Sequence, residues 1–145
     1  MEGVGILDQV TARVALAVLL ALAPVCAVAG ELDTDPAVLA AQSWLASIDA
    51  GQYQQGWEDA ADSLRVGATR EQWEKNLRRA RDDRGPVLSR RVKHAKFTKS
   101  SYFDPGSFVE IQFETRFEKR LVSRETVSAI RVMDGSWKVS SYTIK

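Results

Sequence analysis

The stretch FVEIQFETRFEK, Phe108 to Lys119, alternates without a break. Val109, Ile111, Phe113, Thr115 and Phe117 share one phase, and Glu110, Gln112, Glu114, Arg116 and Glu118 share the other. Only extended chain sends every second side chain to the same face. Alternation of this length therefore specifies a half-buried strand of an antiparallel sheet, one face on a core and one in water. Such a strand needs partners at its edges and cover on its apolar face, and the rest of the chain must supply both.

The cover lies upstream. In LDTDPAVLAAQSWLASIDAGQY, Asp35 is the expected cap and Pro36 suits the first helical position. Val38, Ala41, Trp44 or Leu45, and Ile48 recur at helical spacing, and Gly51 can end the helix in a left-handed conformation. A second helix is expected in YQQGWEDAADSL, with Trp57, Ala60, Ala61 and Leu64 on one face. The third, TREQWEKNLRRARDD, opens on Thr69-x-x-Gln72, a capping box. Its inward stripe is Trp73, Leu77 and Ala80, and the Gly-Pro pair at 85–86 stops it.

Strand partners come next. VLSRRVKHAKFTK precedes the alternating strand, with SSYFDPGS as the turn between. TVSAIRVMDGSWKVSSYTIK reads as two strands joined by Asp134-Gly135, a strong hairpin signal. The expected fold class is α+β: about three N-terminal helices packed on one face of a curved, four-stranded antiparallel meander. It occupies a single domain, residues 36–145, behind a short linker at 30–35.

The N-terminus differs in kind. Val14 to Ala29 is almost continuously apolar, broken near its end by Pro24, and closes on Ala27-Val28-Ala29. Residues 1–29 read as a secretory signal peptide cleaved before Gly30, placing the protein in the periplasm or outside the cell. The alternative is a membrane anchor left uncleaved, but the apolar core is short of the roughly 20 residues a span requires. Cys26, with Ala23, Pro24 and Val25 before it, fits a lipid-attachment motif poorly. Cleavage would remove this single cysteine, leaving neither disulfide nor thiol chemistry and no lasting membrane span.

Charge is unevenly spread along a chain whose net charge is only +1. From Arg78 to Lys99, nine Lys and Arg face Asp82 and Asp83 alone. A helix end explains part of this, since cations complement the negative end of the dipole. Pairing of Arg90, Arg91, Lys93 and Lys96 with Glu110, Glu114 and Glu118 on the neighbouring strand explains more. Nucleic acid is not expected as a partner, because aromatics are not interleaved with the basic residues. Arg81 and Arg90 are the candidates for holding a carboxylate or phosphate, as guanidinium forks do.

Catalytic constellations are sparse. One histidine excludes a histidine-rich metal centre, and without the cysteine there is no Cys/His pair. No metal and no cofactor is implied. His94 sits among cations that oppose its protonation and reads as a strand-surface residue. Asp49, Asp59 and Asp62 read as surface or capping carboxylates. Trp44, Trp57 and Trp73 fall on inward helical stripes and read first as core. The sharper expectation is a pocket between helices and sheet, lined by Trp44, Tyr53 and Trp57 with Arg81 and Arg90 as polar groups.

These residues carry a resemblance. The pattern Ala41-x-x-Trp44-Leu45-x-x-x-Asp49-x-Gly51-x-Tyr53-x-x-x-Trp57 is followed by Trp73, Leu77, Arg81-x-x-x-Gly85 and Ser89-Arg90. The tail adds Glu125-Thr126-Val127, Asp134-Gly135, Trp137 and Tyr142. The whole resembles a bacterial exported family, domain of unknown function 4019 (DUF4019). That resemblance implies a signal-bearing protein with a small cone-shaped fold like cystatin or nuclear transport factor 2, and it carries over no reaction. The functional expectation is a non-enzymatic module binding a small ligand or an envelope protein, with homodimerisation through the outer sheet face. The alternative is a small cone-fold lyase, isomerase or hydrolase with an acid/base pocket built on a buried Asp, Tyr53 or His94.

Overall fold

The computed structural model describes residues 34–98 and 107–145. The expected signal peptide, most of the linker and all but the last residue of the SSYFDPGS turn lie outside the described residues. Four helices lead, α1 Asp35–Asp49, α2 Tyr53–Asp59, α3 Asp62–Arg65 and α4 Arg70–Asp82. Four strands follow, β1 Val87–Phe97, β2 Phe108–Phe117, β3 Arg120–Arg131 and β4 Trp137–Ile144. The strands form one open antiparallel sheet in the order β1-β2-β3-β4. The α+β plan and the four-stranded meander are as the periodicity requires.

The alternating strand holds to its phase. Val109, Ile111, Phe113, Thr115 and Phe117 are all buried, and Glu110 and Arg116 on the opposite phase are not. Above the apolar face lies α1, which buries Ala37, Ala41, Trp44, Leu45 and Ile48. Together with Val127, Ala129 and Val139 these residues make one core. Burying a side chain of Ile or Leu size contributes about 1.5–3 kcal/mol, so this interface is the main driving force for folding. Leu77 of α4 joins it from the side.

Local chemistry accounts for most element ends. Thr69 Oγ1 accepts from the Gln72 amide, and Gln72 Oε1 accepts from the Thr69 amide, completing the expected capping box. Gly51 and Gly85 take φ of +75° and +74°, as helix-terminating glycines do. In the β3–β4 turn Gly135 has φ +85°, and Asp134 Oδ1 accepts from the Ser136 amide at 2.8 Å. The Ser136 hydroxyl first, and that amide bond after it, hold the exposed Asp134 carboxyl below the usual carboxylate range.

Three expectations change. Thr34, not Asp35, occupies the N-cap of α1, with no side-chain bond to the helix. Asp35 sits in the first turn instead, where a negative charge still favours the dipole. The expected second helix is two helices. Ala60 and Ala61 between them are extended and buried, and the Ala61 amide donates to the Val139 carbonyl at 2.8 Å. An unsatisfied acceptor on β4 outweighs helical continuity there. Finally, β3 begins six residues before the expected start at Thr126, which places Glu125 on a strand.

Candidate functional site

The basic stretch divides by face. On the outer face Arg91 Nε donates to Glu114 Oε1 at 2.9 Å, and Lys93 Nζ lies 3.4 Å from Glu114 Oε2. Arg91 first, and Lys93 after it, hold the Glu114 carboxyl below its ordinary range. Arg84 Nη1 donates to the Ala80 carbonyl at 2.5 Å, the expected helix-end role. His94 is exposed on β1, as expected.

Arg81 and Arg90 do something else. Arg81 is in the last turn of α4, and Arg90 is opposite Thr115 on the buried phase of the sheet. Their side chains are 8% and 13% exposed. Both converge on Asp49, the last residue of α1, and on Glu125 of β3. Arg90 Nη1 donates to Asp49 Oδ2 at 2.6 Å, and Arg90 Nε to Glu125 Oε2 at 2.6 Å. Arg81 Nη2 donates to Asp49 Oδ1, and Arg81 Nη1 lies 3.5 Å from Glu125 Oε1. The Tyr142 hydroxyl donates to Glu125 Oε1 at 2.5 Å and accepts from Arg81 Nη1 at 3.2 Å. Thr115 Oγ1 donates to Glu125 Oε2.

Two cations thus meet two carboxylates, so the cluster is neutral while joining α1, α4 and all four strands. Glu125 has no exposed surface and takes hydrogen bonds from four residues. A carboxylate can be buried only when its lone pairs are filled in this way. Burial raises the Tyr142 phenol far above its ordinary pKa, and the Glu125 charge adds to the effect. Burial works against the charge of Arg90, but the bonds to Asp49 and Glu125 outweigh it and raise its pKa. Asp49, read from sequence as a surface or capping carboxylate, is the most solvent-accessible of the four charged members, with its side chain 26% exposed.

That exposure opens into a cleft of about 740 Å³. Asp49 and Arg81 belong to its wall, with Ile48, Tyr53, Val87 and Lys119 around them. Of the five expected pocket residues, Tyr53 and Arg81 line this cleft, and Arg90 reaches it through Asp49. Trp44 and Trp57 lie in an aromatic cluster instead. Trp44 is buried against Trp73 and Tyr142 at centroid distances of 6.3 and 5.5 Å, and its Nε1 donates to the Gly56 carbonyl at 2.8 Å. Trp57 packs on Trp73 at 5.5 Å.

Sequence reasoning missed Asp49, Thr115, Glu125 and Tyr142 as one group. A signal for Glu125 existed: it shares its strand phase with Val127 and Ala129, and a carboxylate in a buried phase requires cations. Among the described residues no group of three or more His, Cys, Asp or Glu could hold a metal ion, and no helix is long and apolar enough to cross a membrane. A family model described as protein of unknown function (DUF4019) matches residues 40–142. No curated protein and no solved structure shows a match.

Proposed function

The chain belongs to the DUF4019 family of proteins of unknown function, and from that premise we propose that it is an exported, non-enzymatic binding module. Its cleft over Asp49 and Arg81 takes a small ligand or a segment of an envelope protein. We read the helix-on-sheet arrangement as the cone of cystatin-like and nuclear transport factor 2-like folds, in which such a cleft is a natural recess.

One observation carries the reading. The most deeply buried carboxylate, Glu125, is fully enclosed and saturated with donors, so it holds the residues behind the cleft without reaching a substrate. What lines the cleft is a wall of mixed character, apolar at Ile48 and Val87 and charged at Asp49, Arg81, Asp82 and Lys119. Mostly apolar recesses with a few placed polar groups are what ligand sites look like. Amide NMR of the protein against a mixed library of small ligands tests this. The expected result is a set of shifts centred on Tyr53, Gly85, Val87 and Lys119. Turnover in a broad substrate screen, or shifts elsewhere only, would reject it.

Export rests on the apolar run from Val14 to Ala29 and its small-residue ending. Intact mass of the protein recovered from its native cell should correspond to a chain beginning at Gly30. A retained N-terminus would make the module membrane-anchored.

A further inference from the structure

Three of the large apolar side chains left exposed lie at one end of the sheet, and the register explains why. β1 carries one extra residue, Leu88, between the Val87–Phe117 and Ser89–Arg116 pairs. β3 sets both Leu121 and Val122 against Arg116, between the Thr115–Ser123 and Phe117–Arg120 pairs. Two bulges therefore flank Arg116, and bulges re-aim side chains out of strict alternation. Leu88, Leu121 and Val122 are 61%, 71% and 70% exposed. The cations around them are Arg116, Arg120 and Arg124, all exposed, with Glu118 the one acid in the segment 116–124 and Glu114 opposite Arg124 on β2. Among the described residues Arg116, Arg120 and Arg124 make no ion pair, in contrast to Arg91 and Lys93 on the face that Arg116 and Arg124 share; Arg120, paired with Phe117, takes the other phase at the hairpin end.

We propose that this hairpin end docks on an anionic phospholipid surface. The aliphatic side chains enter the acyl boundary while the surrounding arginines meet headgroup phosphates, the two contributions that together hold peripheral proteins on membranes. A protein partner is the weaker fit. Stable protein interfaces use roughly 20–30 residues a side and favour aromatic anchors, whereas this patch is three aliphatic side chains in a basic surround. A lipid surface demands no shape complementarity, only exposed apolar groups and the right sign of charge.

Sedimentation with lipid vesicles tests the proposal. Residues 30–145 are suited to it, because among the described residues the core lies between Ala37 and Val139, and the apolar N-terminal run would itself partition into lipid. Binding is expected to phosphatidylglycerol-containing vesicles and not to phosphatidylcholine alone, and it should vanish in roughly molar salt. R116E and the double change L121S/V122S should each lower partitioning on the order of tenfold. Their melting curves should match the parent, since these side chains are exposed; if L121S/V122S melts early, R116E and R120E carry the comparison. Equal binding to both vesicle types, no binding, or unchanged binding by the variants overturns the proposal. Retention on polyglutamate without vesicle binding would assign the patch to an acidic protein and overturn it equally.

Discussion

At the scale of single residues, Glu125 decides most. It holds two arginines, a threonine and a tyrosine from a position with no access to water. Compared with an apolar replacement of the whole cluster, such a network gains little net stability, because desolvation offsets the attraction. Removing one member is different, since the remaining charges stay buried and unmatched. Glu125→Gln keeps the shape but leaves two guanidiniums against one carboxylate. It should lower stability by about 3–5 kcal/mol in urea unfolding. Glu114→Gln removes an equally charged partner from the solvated face and should hardly move the midpoint, because exposed pairs are screened. Equal effects from the two changes would remove the distinction between the faces.

At the scale of elements, α1 and α2 approach each other closely at Gly56. A methyl group there would stand 2.4 Å from Ile48 Cδ1 and 3.6 Å from Trp44 Nε1. In an open helix Gly→Ala gains about 1 kcal/mol. Here overpacking costs about 1–3 kcal/mol and should win, since Ile48 is 1% exposed and has little room to turn away. We expect Gly56→Ala to be destabilising by about 1 kcal/mol net. Adding Ile48→Val, which removes Cδ1, should recover most of that loss in thermal unfolding. A Gly56→Ala variant more stable than the parent would show that α2 can slide. On α4 the reciprocal Thr69–Gln72 cap makes a simpler case: Thr69→Ala should cost about 1 kcal/mol by the same measurement. This cap was legible in the sequence because all its groups lie within four residues. The break between α2 and α3 was not, because its cause, the Val139 carbonyl, lies 78 positions from the Ala61 amide that satisfies it.

At the scale of the whole molecule, stability depends on pH through Tyr142. Its phenol is raised well above the ordinary value of about 10, so the folded state keeps a proton that the unfolded chain releases. A group raised in this way contributes stability that is fully present below the unfolded pKa and is lost as pH climbs above it. Unfolding free energy should therefore fall as pH rises past about 10, and Tyr142→Phe should flatten that slope. Phenolate absorbance that develops for Tyr142 before the fold is lost would contradict the burial that causes the shift. Periodicity, caps and turn residues are local in sequence. The chain itself therefore determined the inward face of β2, the capped α4, the Asp134-Gly135 hairpin and the helix-then-sheet order. Only the tertiary structure decided that Arg81 and Arg90 leave the solvated basic stretch to meet Asp49 and Glu125. Those partners lie 32 to 44 positions away. Whether a charge is buried depends on what packing brings within a few ångströms of it, and no spacing along the chain encodes that distance.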